Sequence, residues 1–269
     1  MTLTQLIVLA VLQSMAEVFP VGAQGHTVLL SQLLEWPEPS AALRLTLRVG
    51  LLLGVMAYFR SDLAEMIVGV MRAAKGKRSP EAGLALQIAV AAIPTLGLGF
   101  AFEYYLAGDW ETLHVTGWAI AGGALLLLLC DRMSMTVKRV DHATYVDSIV
   151  VGLGQVIALV PGIGSAAMSI TLARLLGFEC AQAVRLYFLL SIPVSIAVIA
   201  LDAYTLVTIV HGSISNLDIL CGVAAFFAAL IGIAILMAWL RRSTFLPFVI
   251  YRLLLGLTVL AIAYKWVTV

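Results

Sequence analysis

Apolar runs long enough to cross a lipid bilayer recur along the whole chain and leave little else from which to build a fold. A bilayer core about 30 Å thick needs about 20 apolar residues per helical span. Such runs read at about 44–59, 84–104, 117–130, 184–206, 217–240 and 247–267. Charged residues make up only 12% of the 269, against about 25% in an average soluble domain. Too few polar side chains exist to coat a water-facing surface, so the apolar excess must face lipid. No stretch is left over for a soluble domain, and residues 1–269 read as a single membrane domain.

Two further apolar segments, about 3–35 and 146–177, are each broken near the middle by Pro and Gly, at FPVGAQGH (19–26) and VPGIGS (160–165). A break at membrane depth frees backbone N–H and C=O groups that lipid cannot satisfy. Such breaks survive only inside protein or beside a watery cavity. Both segments are therefore expected to be re-entrant helical hairpins. They also resemble each other: Gln13 stands seven residues before Pro20, and Gln155 six before Pro161. Each proline is followed by a small-residue turn and a fresh apolar helix, and each hairpin precedes three spans. This pattern predicts inverted repeats, about 1–131 and 146–269, with a site near the bilayer midplane. The expected fold class is thus an all-α polytopic membrane protein with six transmembrane helices plus two re-entrant hairpins.

Loop charges give an independent topology. Segment 60–80 holds Arg60, Arg72, Lys75, Lys77 and Arg78; segment 131–145 holds Arg132, Lys138 and Arg139; Arg241 and Arg242 separate the last two spans. The alternate segments, 105–116 and 207–216, contain no Lys or Arg, and the first carries Asp109 and Glu111. By the positive-inside rule the basic loops are cytoplasmic and both termini lie outside. The first hairpin then enters from outside and the second from the cytoplasm. The start, MTLTQLIVLAVLQ, has no basic n-region or cleavage pattern and reads as mature protein.

Glu17 and His26 flank the first break, and Gln13 lies one helical turn before Glu17 on the same face. A carboxylate within a span costs on the order of 2.5–3.5 kcal/mol on insertion scales, so it marks a functional candidate. The bland alternative is that these three groups satisfy the broken backbone. His114, His142 and His211 fall in expected loops, and no HExxH or His/Cys cluster suggests a tight metal site. Cys130, Cys180 and Cys221 lack CxxC spacing and read as small buried hydrophobes. Asp202, near a span end, and Glu179, in a loop, have no evident partner. Arg48, Arg174, Arg185 and Arg252 lie in or beside spans, where most should snorkel to headgroups and one could reach a buried anion. Trp36, Trp110, Trp118 and Trp266 near span ends read as interface anchors. The net charge of +1 points to no particular partner; membrane lipid is expected and nucleic acid is not. The sequence leaves room for a homodimer.

QSMAEVFPVGAQGH at 13–26 resembles the first signature, (E/Q)xxxE then PVSSTGH, of the bacterial undecaprenyl-diphosphate phosphatases, the bacitracin-resistance membrane proteins. PGIGSAAMS at 161–169 resembles their second, PGxSRSGAT, and FLLSIP (188–193) and STFLPFVIYRLLLG (243–256) resemble two later stretches. The resemblance runs over nearly the whole chain. It implies removal of the terminal phosphate from C55 isoprenyl diphosphate at the outer side of the bacterial inner membrane, recycling carrier lipid for peptidoglycan synthesis. It implies catalytic roles for Glu17, His26 and Gln13. The two turns, through Gln24, Gly25, Gly162, Gly164, Ser165 and Ser169, would bind the substrate. A divalent cation, Mg²⁺ or Ca²⁺, is implied as cofactor, with Glu17 as the candidate ligand.

The signatures are incomplete. The serines of PVSSTGH are Gly22 and Ala23 here and its threonine is Gln24; in SRS, Gly164, Ser165 and Ala166 replace Ser, Arg and Ser. A guanidinium clamps phosphate with paired, charge-assisted bonds. Losing one such donor typically costs about 3–4 kcal/mol at a reaction centre. Two readings therefore stay open: a phosphatase in which another cation, Arg48 or Arg174 or a divalent ion, replaces the missing arginine, and a non-catalytic binder or translocase of an isoprenyl phosphate lipid or another amphiphile.

Overall fold

The structure is a computed structural model that describes residues 2–34, 36–77, 79–106, 112–133 and 137–265. Arg78, Asp109, Trp110, Glu111 and Trp266 lie outside the described residues. Eleven α-helices follow in order: α1 (Leu3–Val18), α2 (Ala23–Leu34), α3 (Ala41–Tyr58), α4 (Arg60–Ala74), α5 (Pro80–Leu106), α6 (Leu113–Met133), α7 (Tyr145–Ile157), α8 (Ser165–Leu175), α9 (Cys180–Thr208), α10 (Asn216–Leu240) and α11 (Leu246–Ala263). Among the described residues there is no strand, only an isolated bridge between Lys138 and Phe178. Six helices, α3, α5, α6, α9, α10 and α11, are long and apolar enough to cross a bilayer. They match the six spans expected from the sequence, and the protein is an all-α polytopic membrane protein.

Its outer surface explains the composition. Ile93 is 71% exposed, Leu254 61% and Phe227 54%, an apolar exterior that only lipid can cover. The helices meet over small residues, as lipid offers no hydrophobic drive for their association. On α3 and α10, a Cβ on Gly50 would lie 2.1 Å from the Gly222 carbonyl oxygen, so only glycine allows that approach.

Each broken segment forms two helices joined by a short turn. Thr2 opens α1 through a capping box with Gln5, and Thr144 opens α7 through one with Asp147, satisfying otherwise orphaned amides. α1 ends at Phe19, the residue before Pro20, where the proline ring disfavours helix. α1 packs on α10, and α7 packs on α5.

Two expectations need correction. Residues 60–74 were expected to be loop and instead form α4, in which Leu63, Met66, Ile67 and Val70 recur at helical spacing beneath a charged first and last turn. His114 was placed in a loop but is the second residue of α6. His142 lies in a 3₁₀ turn (Val140–His142), and His211 lies between α9 and α10.

The arginines in or beside the spans have partners in the structure. Arg48 pairs with Asp202, which therefore does have a partner. Arg174 and Asp131 form a buried pair at 2.9 Å, and Arg185 reaches Asp62 at 2.7 Å. Trp36 packs in a small core with Leu9 and Leu43, whereas Trp118 is 60% exposed on α6, as an interface anchor would be.

Candidate active site

The two turns meet back to back. Gly22, Gly162 and Gly164 all have positive φ, +85°, +94° and +78°, a region that glycine enters without steric cost. A Cβ on Gly22 would stand 3.3 Å from the Gly162 carbonyl oxygen, and one on Gly164 would stand 3.3 Å from the Gly22 Cα. Gln24 ties the hairpins together, its Oε1 accepting from the Gly162 amide at 2.6 Å.

Behind the second turn lies Arg252 of α11, fully buried. Its Nη2 donates to the carbonyls of Ile163 (2.9 Å) and Gly162 (3.4 Å). Unpaired buried turn carbonyls would be costly, and the guanidinium satisfies two of them.

In front of the turns lies a cavity of about 210 Å³. Gln13 and Glu17 reach it from α1, Arg48 from α3, Gln155 from α7, Ser165 from the start of α8, and Tyr187 with Ser191 and Ser195 from α9. The Ser165 hydroxyl lies 3.1 Å from that of Tyr187. Gln13 Oε1 and Gln155 Nε2 are buried without a hydrogen-bond partner among the described residues. Buried polar atoms are almost always satisfied, so an orphan acceptor and an orphan donor facing one cavity mark a place for a polar ligand. At about 30 Å³ per water the cavity has room for about seven waters. That volume suits a polar headgroup.

The expected site residues divide. Gln13, Glu17 and Ser165 share the cavity. Gln24, Gly25, Gly162, Gly164 and Ser169 do not line it: Gln24, Gly162 and Gly164 shape the turn contact, and Gly25 lets α2 approach Ile120 and Leu255. Ser169 is fully buried against Gly154, where α8 crosses α7.

His26 is also off the cavity. Its Nδ1 lies 3.1 Å from the Gly22 carbonyl oxygen and its Nε2 lies 2.6 Å from the Tyr251 hydroxyl on α11. A carbonyl only accepts, so Nδ1 carries a proton, and Nε2 shares a hydrogen bond with the Tyr251 hydroxyl in which either partner can donate. Tyr187, Tyr251, Ser191 and Ser195 were not singled out from sequence; as isolated hydroxyls in apolar runs they carry no spacing signal. Gln155 was noticed only through the repeat.

Among the described residues no group of three His, Cys, Asp or Glu side chains could hold a metal ion by itself. Glu17 with the orphan Gln13 Oε1 offers one carboxylate and one neutral oxygen. That set fits Mg²⁺ or Ca²⁺ only in the form shared with substrate phosphates, which complete the coordination shell.

Fold and site together define a polytopic membrane protein in which two broken helical hairpins converge on a small polar cavity. The chain belongs to the bacitracin resistance protein BacA family, whose profile matches residues 6–258. It is 39% identical to a protein named undecaprenyl-diphosphatase 1 from Rhodospirillum rubrum, over 98% of this chain and 96% of that one. It is 35% identical to undecaprenyl-diphosphatase 1 from Paramagnetospirillum magneticum, over 98% of each chain. Undecaprenyl-diphosphatase from Roseobacter denitrificans is also 35% identical, over 98% of this chain and all of the relative.

Proposed function

We propose that the protein is an isoprenyl diphosphate phosphatase of the bacterial inner membrane. It would remove the terminal phosphate of a carrier lipid such as undecaprenyl diphosphate. The observation that carries this reading is the convergence of Glu17, Gln13, Gln155 and Ser165 on one cavity where the two turns meet. The diphosphate enters the cavity while the hydrocarbon chain stays on the apolar exterior. Gln155 Nε2 and the Ser165 and Tyr187 hydroxyls are donors for phosphate oxygens. Glu17 is the one carboxylate among the cavity-lining residues and is placed to accept a proton from attacking water. A divalent cation held by Glu17 and Gln13 would neutralise charge on the phosphates during transfer. His26 has its Nδ1 proton held by the Gly22 carbonyl and its Nε2 against the Tyr251 hydroxyl. It is competent to take a proton once substrate or water displaces the tyrosine. The packing of α1 on α10 and of α7 on α5 supports the inverted-repeat arrangement, and the loop charges support termini on the outside.

Phosphate release from undecaprenyl diphosphate by purified protein, with and without Mg²⁺ or Ca²⁺, tests the reading. Glu17→Gln should lower turnover by about 10²–10⁴, the usual contribution of a general base. Turnover that ignores this change refutes the assignment.

A second reading, a binder or translocase of isoprenyl phosphate lipid, draws on a different cleft. This cleft holds about 880 Å³ and is lined by Arg60, Arg174, Arg185 and Arg241, with Asp62, Asp131 and Glu179 among them. It lies on the face that the loop charges make cytoplasmic. Lipid binding without any turnover would favour it.

A further inference from the structure

We propose that Arg48 supplies the cationic phosphate contact that the second turn lacks, and that Asp202 holds it ready beside the cavity. The inference rests on the phosphatase reading and deepens it. Ser165 occupies the position where the related signature has arginine, and serine can neither carry charge nor fork onto phosphate. Some other cation must then meet the substrate's charge. Among the described residues lining the cavity, Arg48 is the one cation, and it faces the same space as Glu17 and Ser165.

Its competitors lie elsewhere. Arg174 and Arg185 line a different cleft and pair with Asp131 and Asp62. Arg252 has its Nη2 on the Gly162 and Ile163 carbonyls and its Nε and Nη1 without a partner among the described residues, but it lies behind the turn and does not line the cavity.

The placement of Arg48 follows from α3 itself. Leu47, Arg48, Leu51, Leu52 and Val55 all line the cavity, so they form one stripe at helical spacing. The arginine thus points inward from the membrane-spanning helix. Its salt-bridge partner among the described residues is Asp202, on α9. The α9 residues lining the cavity run from Tyr187 to Ile199, so Asp202 stands about one turn past the end of that lining. Both groups are partly exposed, the Arg48 side chain by 48% and that of Asp202 by 28%. Phosphate can take the place of Asp202 without leaving the guanidinium unpaired, which would be costly on a membrane-spanning helix. A phosphate offers more negative charge than a carboxylate and the same fork geometry, which favours the exchange. In the resting protein Asp202 keeps the guanidinium ordered and pointed at the entrance.

Phosphate release from undecaprenyl diphosphate in detergent tests this, with thermal-shift binding of undecaprenyl phosphate as a second readout. Arg48→Gln should lower kcat/KM by about 10²–10³, the loss typical of one charge-stabilising donor. Arg48→Lys should retain part of the rate. Asp202→Asn should cost only a few-fold, far less than Arg48→Gln, because the guanidinium remains beside the cavity but is no longer held in place. Should Arg48→Gln fail to fold with Asp202 unpaired, the double variant R48Q/D202N removes both charges and is read in its place. Ser165→Arg on that double background should regain at least tenfold, returning a cation to the same cavity from another helix. Retention of more than a third of wild-type activity by folded R48Q or R48Q/D202N overturns the Arg48 role and leaves the phosphatase reading standing. An equal loss in Asp202→Asn makes the pair structural and also overturns it. A wild-type protein that binds the lipid without hydrolysing it removes the phosphatase reading, and the Arg48 role is then decided by whether R48Q loses binding. A wild-type protein that neither binds nor hydrolyses the lipid overturns both.

Discussion

Gly162→Ala is a sharp test of how the two turns are assembled. A methyl group there would stand 2.4 Å from the Thr116 carbonyl oxygen and 3.1 Å from Ile120 Cγ1, both on α6. The oxygen belongs to helix backbone and cannot swing aside as a side chain would. The residue also has φ +94°, where an L-residue pays roughly 1–2 kcal/mol. Forcing extra volume into a packed site adds typically about 1–3 kcal/mol. The sum, about 2–5 kcal/mol, should appear as a large fall in melting temperature, followed by tryptophan fluorescence in detergent. Two alanine variants calibrate it. Gly22→Ala shares the backbone strain, at φ +85°, but its methyl meets nothing nearer than the Gly162 oxygen at 3.3 Å, with Ile120 Cγ1 in ordinary contact at 3.9 Å, so it should lose about 1–2 kcal/mol. Gly122→Ala lies inside α6 with nothing within 4 Å and should gain up to about 1 kcal/mol from helix propensity. The expected order is Gly162→Ala lowest, then Gly22→Ala, then wild type, with Gly122→Ala highest. A Gly162→Ala protein that melts at or above Gly22→Ala would refute the packing of the second turn against α6.

Two further predictions follow from other parts of the fold. Arg174→Met strands Asp131 in a site where both side chains are no more than 5% exposed; it should cost about 3–5 kcal/mol, while R174M/D131L should melt close to wild type, as both charges are gone. Single cysteines at Lys75 and Asp109, on a background with Cys130, Cys180 and Cys221 replaced by Ser or Ala, should label from opposite sides of the membrane; labelling of both from one side would reject the proposed topology.

The spans were legible because a bilayer imposes a length and a composition on each helix, and both can be counted in the sequence. The breaks were legible because Pro and Gly have local meaning that lipid makes absolute. α4 was hidden by its own charges: Arg60, Asp62, Glu65 and Arg72 made the segment look like loop, while the stripe at Leu63, Met66, Ile67 and Val70 was there to be found. The composition of the cavity was harder to foresee. Gln13 and Glu17 could be placed on one face of α1, but spacing says nothing about how α1 is rotated against α8 and α9. That rotation is why Ser165 and Tyr187 enter the cavity while Ser169 packs on Gly154 and His26 turns to Tyr251. Arg48 and Asp202 are 154 residues apart, and no local pattern joins them.

The altered signature positions are best understood as a set. Residues 22 and 164, where the resemblance places serines, are the two glycines that touch across the turn contact, and both have positive φ. Serine at either one would add backbone strain of about 1–2 kcal/mol and press on the opposite turn. Replacing one glycine alone therefore meets a contact shaped by the other. Ser165 is different. It is the first residue of α8, free of that backbone demand, and its side chain already faces the cavity. A guanidinium can be put back at 165 without disturbing the turns, whereas the two lost serine hydroxyls cannot be restored so easily. The hydroxyl and amide groups that line the cavity come instead from the surrounding helices, as Gln155, Tyr187, Ser191 and Ser195. In this chain the turns serve to hold the two hairpins in register, and the polar contacts that would meet a phosphate are distributed over α1, α3, α7, α8 and α9.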